Sequence, residues 1–223
     1  MPRAKILLAD DHSLILEGIR TLLEDQHDVI GTASDGASLV KEALRLEPDT
    51  IVLDVAMPIL NGIDAAREIR KSLPRVKFLF ISMHSNAGYV RRAVDAGASA
   101  YVLKSGAAEE LLKAVEVVRN GGKYLSPALA PNIIQEVALQ TARSSRRVFE
   151  LTSRQRQIMQ LIAEGKQNKE IASLLFVSVR TVEFHRARLM ARLGARSVAE
   201  LIRCAIQEGL IAPAEEPPYR PEN

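Results

Sequence analysis

The chain has 223 residues, 47% hydrophobic and 26% charged, with a single Cys and a formal net charge of +3. That balance is ordinary for a folded protein and too apolar for a disordered one, while the lone Cys204 rules out an internal disulfide or a multi-cysteine zinc site. No stretch approaches the length of a membrane span, and MPRAKILLADD lacks the shape of a signal peptide because acids follow its short apolar run at once; a cytoplasmic location without membrane contact is expected.

About the first 120 residues read as a strand–helix alternation. AKILLA (4–9) is a short apolar strand ending in Asp10-Asp11, and Leu14, Ile15, Gly18, Ile19, Leu22 and Leu23 follow at helical spacing. The pattern recurs as strand DVIGTA, helix SLVKEALRL, strand TIVLD, helix IDAAREIRKS, strand KFLFIS, helix AGYVRRAVDAG, strand SAYVLK and helix AAEELLKAVEVVRNG. Five such units predict an α/β fold, a five-stranded doubly wound parallel sheet with right-handed crossovers and flavodoxin-like order 2-1-3-4-5.

In that winding the C-terminal ends of the first, third, fourth and fifth strands converge. They carry Asp10-Asp11, Asp54, Ser82 and Lys104, and this edge is where open α/β sheets bind ligands. Clustered carboxylates repel one another unless a cation sits among them, and oxygen donors of this kind suit Mg2+. With such an ion Asp54 can take a phosphoryl group, Lys104 and Ser82 supplying charge and a hydrogen bond to its oxygens.

On the Asp10-Asp11 pair, the LDVAMP turn with Asn61-Gly62, Ser82 and the YVLK strand end, residues 1–125 resemble the receiver domain of a two-component response regulator. The resemblance implies Asp54 as phosphoacceptor, Asp11 as a direct Mg2+ ligand, Asp10 acting through water and the carbonyl of Ala56 as the backbone ligand. It implies Ser82 and Tyr101 as the switch pair and Lys104 as the phosphate-pairing lysine. Met83, bulkier than the small residue common after the switch hydroxyl, is expected to crowd the phosphoryl group and slow its hydrolysis.

SPALAPNIIQEVALQ (126–140) reads as a helix with Ser126 as N-cap and Pro127 at its first position, and TARSSRRVFE (141–150) as an exposed linker. Four short helices follow, LTSRQRQIMQLIAEG, NKEIASLLF, VSVRTVEFHRARLMARLG and SVAELIRCAIQEGL, forming a small all-α helix-turn-helix domain over 151–212 before a Pro-rich tail at 213–223. Charge changes sharply along the chain: residues 1–140 carry 16 Lys/Arg against 18 Asp/Glu, residues 141–212 carry 13 against 6. Such an asymmetry points to a polyanionic partner for the second domain.

On the third of these helices Val182, Leu189 and Leu193 form an inward stripe, with Arg180, Glu183, Phe184, Ala187 and Arg188 opposite. Together with the NKEIA turn, these residues resemble the LuxR-type helix-turn-helix, and the whole chain resembles the NarL/FixJ class of response regulators. Glu183, Phe184, Ala187 and Arg188 are the expected groove residues and Lys169, Arg180, Thr181 and Arg186 the expected phosphate contacts on double-stranded DNA. Gln155 departs from the family's usual Glu, which suggests a missing ion pair. Val198, Leu201, Ile202 and Ala205 are expected to dimerise the last helix. The resemblance further implies a cognate histidine kinase, a homodimer when active and RNA polymerase as a further partner. Two alternatives stand beside this reading. One is a constitutive DNA-binding regulator whose receiver serves only for dimerisation. The other is an aspartyl phosphohydrolase, disfavoured because Ala56 stands where such enzymes carry a second acid.

Overall fold

The computed structural model describes residues 3–106, 108–130 and 151–207. Residue contacts divide the chain into two compact units, Met1–Gln157 and Ile158–Asn223. The linker at 141–150, most of the helix expected at 126–140 and the Pro-rich tail lie outside the described residues.

In the first unit the elements alternate as expected: β1 (Lys5–Ala9), α1 (Ser13–Glu24), β2 (Asp28–Ala33), α2 (Gly36–Leu46), β3 (Thr50–Asp54), α3 (Gly62–Ser72), β4 (Lys77–Ser82), α4 (Ala87–Asp95), β5 (Ala98–Leu103) and α5 (Ala108–Arg119). The sheet is wholly parallel in the order β2-β1-β3-β4-β5, and a sixth strand, β6 (Tyr124–Leu125), lengthens it beyond β5. Five strands were expected. Two residues are too few to show periodicity, but Tyr124 and Leu125 pair with Ala100 and Tyr101, and Ser126 N then donates to the Tyr101 carbonyl at 2.9 Å.

Side-chain alternation divides the sheet's apolar residues between two layers. Leu7, Ile51, Leu53, Phe78, Phe80 and Tyr101 pack into one core with side chains of α2, α3 and α4, and Ile6, Leu8, Val52, Leu79, Ile81 and Val102 into the other with side chains of α1 and α5. Polar caps fix where three helices begin: Asp35 accepts from Ala37 N and Ser38 N, Asn61 from Asp64 N and Asn86 from Gly88 N. After β6 the chain makes a 3-10 turn at Pro127–Leu129, where Ser126 gives no side-chain cap. Leu129 is fully buried in the first core, so that core extends past residue 125.

His27, between α1 and β2, is buried, and its Nδ1 has no hydrogen-bond partner. Burial, with the Arg119 and Arg3 charges nearby outweighing Asp28, lowers its pKa. The unfolded chain therefore takes up this proton first as pH falls. The stability that neutral His27 contributes is complete above its ordinary pKa of about 6.5 and is lost as pH drops towards the depressed folded value. Urea midpoints at pH 7.5 and 5.5 are expected to differ less in His27→Gln than in wild type; an equal pH dependence in both proteins would contradict this origin.

The helices after the undescribed stretch are α6 (Ser153–Ala163), α7 (Asn168–Leu174), α8 (Val179–Leu193) and α9 (Val198–Gln207). Thr152 Oγ1 accepts from Gln155 N, and Gln155 Oε1 accepts in return from Thr152 N at 3.0 Å, a reciprocal cap. An amide serves here as well as a carboxylate, so the departure at Gln155 has a structural use that the expected loss of an ion pair overlooked. Ile158, Leu161, Ile162, Val182, Leu189 and Leu193 are all buried, as their helical spacing implies. Ser178 accepts from Thr181 N to start α8, and Gly194 ends it at φ +66°.

The turn between α7 and α8 places Phe176 at φ +53° with its side chain 95% exposed. A left-handed backbone costs an L-residue about 1–2 kcal/mol, and this ring has no buried contact to offset it. Phe176→Asn is expected to raise stability by about 0.5–1 kcal/mol, read as a higher urea midpoint.

Candidate functional site

β3, β4 and β5 end nearly level with one another at the site. Asp54 stands opposite Ile81, Ser82 opposite Leu103, and Lys104 N donates to the Ser82 carbonyl at 2.8 Å. Asp54, Asp10 and Ser82 are buried there. Lys104 Nζ lies 2.6 Å from both Asp54 Oδ2 and Asp10 Oδ2, one ammonium shared by two carboxylates. Burial raises the Asp54 pKa against the pull of Lys104. For Lys104 burial acts downward, but the two carboxylates outweigh it and the pKa is raised. The Ala56 amide donates to Asp54 Oδ1 at 3.2 Å, which fixes the carboxylate's rotation.

Asp11 completes a group of acids at this edge, and His12, which sequence reasoning passed over, joins them. Donor atoms of Asp10, Asp11, His12 and Asp54 all lie within 4.8 Å of one another. Several carboxylate oxygens so close together fit a hard divalent cation in donor type. The signal for His12 was its position directly after the acid pair.

Ser82 and Tyr101 meet at one loop. Ser82 Oγ accepts from His84 N at 3.1 Å, and the Tyr101 phenol, its ring fully buried, donates to the His84 carbonyl at 2.9 Å. The His84 imidazole stacks on Tyr89 of α4 with centroids 4.6 Å apart and planes 9° from parallel. Burial, with Lys104 nearby, lowers the His84 pKa and favours a neutral ring. Sequence reading missed His84 and Tyr89, because a backbone contact and a ring stack leave no periodic trace.

Met83 follows Ser82 with its side chain 66% exposed at the same edge. On the expectation that Asp54 accepts a phosphoryl group, Met83→Ala should shorten the lifetime of that group about 2- to 5-fold, the range of a modest steric barrier to water. Equal lifetimes for the two proteins would dismiss the crowding idea.

On α8, Arg180, Glu183, Phe184, Ala187 and Arg188 are exposed, as is Lys169 on α7. Arg188 rests its guanidinium over the Phe184 ring at 5.4 Å, an arrangement that explains an aromatic side chain left 56% exposed. Thr181 and Arg186 are half-buried; Thr181 Oγ1 lies 2.8 Å from Ser178 Oγ, and Arg186 donates to Asn168 Oδ1 at 3.4 Å. One expectation needs correction. Leu201 and Ala205 are 1% and 0% exposed within the chain itself, so they cannot form a dimer surface. An apolar helix on more than one face does not reveal which face its own domain uses, and only Val198 and Ile202 of the expected four keep exposed area.

Known proteins resemble the chain in both halves. Residues 6–116 match the response regulator receiver domain, and residues 150–205 match the bacterial regulatory proteins of the luxR family. The transcriptional regulatory protein MctR of Rhizobium johnstonii is 35% identical over 95% of this chain and 97% of its own length. The oxygen regulatory protein NreC of Staphylococcus carnosus is 35% identical over 93% and 99%. Among solved structures, the RcsB response regulator of Salmonella typhimurium matches with 26% identity and a TM-score of 0.58 over 91% of this chain and 98% of that one. A LuxR-family two-component response regulator from Aurantimonas sp. matches with 34% identity and a TM-score of 0.59 over 61% and 99%.

Proposed function

Since the chain belongs to the two-component response regulators that join a receiver to a LuxR-type helix-turn-helix, we propose that Asp54 is its phosphoacceptor and that α8 is its DNA-reading helix. It is a phosphorylation-controlled, DNA-binding transcriptional regulator. The observation that carries the assignment within the sheet is the single ammonium of Lys104 held 2.6 Å from both Asp54 and Asp10 at the strand edge. On this reading residues 1–125 are the receiver, with the short turn to Leu129 completing its core; 126–150 connect, 151–212 bind DNA, and 213–223 form a tail.

A phosphohistidine of a partner kinase supplies the phosphoryl group. An oxygen of Asp54 attacks phosphorus, the P–N bond breaks with its electron pair returning to the histidine ring, and an acyl phosphate remains on Asp54. Asp10, Asp11, Asp54 and the carbonyl of Ala56 would hold Mg2+, which when bound neutralises the carboxylates and the phosphoryl oxygens. Lys104, already seated against Asp54, needs only a small shift to pair with the new anion. The Ser82 hydroxyl turns to a phosphoryl oxygen and gives up its bond from His84 N, and Tyr101, its phenol tied to the same residue's carbonyl, shifts with it as the second half of the switch pair. These changes bias an existing equilibrium rather than build a new fold.

Lys169, Arg180, Thr181 and Arg186 would hold phosphates of the duplex, while Glu183, Phe184, Ala187 and Arg188 face the bases. Two copies on two half-sites are the natural arrangement, with Val198 and Ile202 as the residues of α9 available to a partner. RNA polymerase is the proposed downstream contact. The test is DNA affinity of the full chain with and without a small phosphoryl donor and Mg2+. Tighter binding after phosphorylation supports the switch. Equal affinity in both states would favour the constitutive regulator.

A further inference from the structure

Among the described residues Met57 and Met159 are 3% and 0% exposed and Met190 is half-buried, whereas Met83 keeps 66% of its surface in water. Met83 directly follows Ser82, which is fully buried at the acceptor edge, and the amide after it, His84 N, donates to the Ser82 hydroxyl. An oxidisable thioether therefore stands in the open at the strand end that carries the switch hydroxyl. We infer that Met83 is a site of reversible oxidation by peroxide, and that its sulfoxide shortens the lifetime of the phosphoryl group on Asp54. The effect on lifetime rests on Asp54 being the phosphoacceptor.

The chemistry is a two-electron oxygen transfer. A lone pair of the Met83 sulfur attacks one oxygen of hydrogen peroxide, the O–O bond breaks, and the departing oxygen takes up the peroxide protons and leaves as water. Sulfur is oxidised, peroxide is reduced, and a methionine sulfoxide reductase reverses the change. Selectivity follows from access, because peroxide reaches Met57 or Met159 only when the packed core opens around them. The one thiol, Cys204, is half-buried on α9. As a thioether Met83 is a bulky apolar cover beside the acceptor. Its sulfoxide keeps the bulk but carries a strong dipole, and the new oxygen accepts hydrogen bonds from water. The cover becomes a wet one, which brings the attacking water of hydrolysis to the phosphoryl group. Since the side chain already faces solvent, this oxygen breaks no packing, whereas the same oxygen on Met57 would enter the receiver core. Peroxide thereby shortens the response to a given phosphoryl input.

The test treats the full chain with hydrogen peroxide, maps oxidation by peptide mass, and follows loss of phosphoryl after loading from a small donor with Mg2+. Met83 is expected to oxidise at least about 10-fold faster than Met57 or Met159. The phosphoryl lifetime should fall about 2- to 5-fold, return after treatment with sulfoxide reductase, and not respond to peroxide in Met83→Leu. Oxidation no faster at Met83 than at the core methionines would overturn the site. An oxidised Met83 with an unchanged lifetime, or a peroxide response that persists in Met83→Leu, would overturn its control of hydrolysis. Wild type that takes up no phosphoryl group before peroxide would overturn the acceptor assignment and the lifetime effect with it, while the oxidation map judges the site independently.

Discussion

Asp54→Ala is expected to take up no phosphoryl group from a small donor with Mg2+, under conditions in which wild-type protein gains one by mass. The side chain is buried at the end of β3 and is the acid held by both Lys104 and the Ala56 amide. Asp10 shares the ammonium and is itself held by the His12 amide at 2.9 Å, but it stands one strand away at the end of β1 and is fully buried there. Loss should therefore be complete rather than partial, and DNA affinity should cease to respond to the donor. Removal of a buried carboxylate whose pKa burial has raised also lessens the charge crowded into the site. The variant is expected to stay folded, with a urea midpoint near or above that of wild type. A phosphoryl adduct on Asp54→Ala would move the acceptor elsewhere.

Gly62→Ala is the second large effect. Gly62 opens α3, and a Cβ built there would stand 1.9 Å from the carbonyl oxygen of Asp54, an approach no real Cβ makes. Neither atom can yield: the clash is with backbone, and Gly62 N is itself bound to the Val55 carbonyl at 3.0 Å. Relief requires β3 and α3 to part at the acceptor. A loss of about 2–4 kcal/mol follows, read as a lower urea midpoint, together with slower phosphoryl uptake. Gly18→Ala, where a Cβ meets nothing within 4 Å in the middle of α1, should instead stabilise by about 0.5–1 kcal/mol. Similar midpoints for the two variants would refute this steric account.

The contrast shows what the sequence could disclose. The apolar runs ending in Asp10-Asp11, Asp54, Ser82 and Lys104 announced both strands and site, because a buried parallel strand must be apolar and its last residue is where the chain turns polar. Asn61-Gly62 read as a turn, but that the glycine exists for the sake of the Asp54 carbonyl required coordinates. β6 was hidden by its brevity. Leu201 and Ala205 were misjudged because two apolar faces on one short helix look alike until the domain closes over one of them. Phe176 gave no sign of its left-handed backbone, since nothing in a phenylalanine signals such a conformation. His84 acts through its carbonyl, amide and ring plane, none of which has a sequence signature.

The short pairing of β6 with β5 leaves Tyr101 attached at both ends. Its phenol holds the loop beside the acceptor, and its carbonyl accepts from Ser126 N, the residue that follows β6 on the way out of the sheet. A ladder of two residues has almost no cooperative reserve, so a small displacement of the Tyr101 main chain is enough to open it. The Ser126 amide thus serves as a stopwatch: the rate at which it trades hydrogen for deuterium reports, from one position, how often strand and exit segment part company.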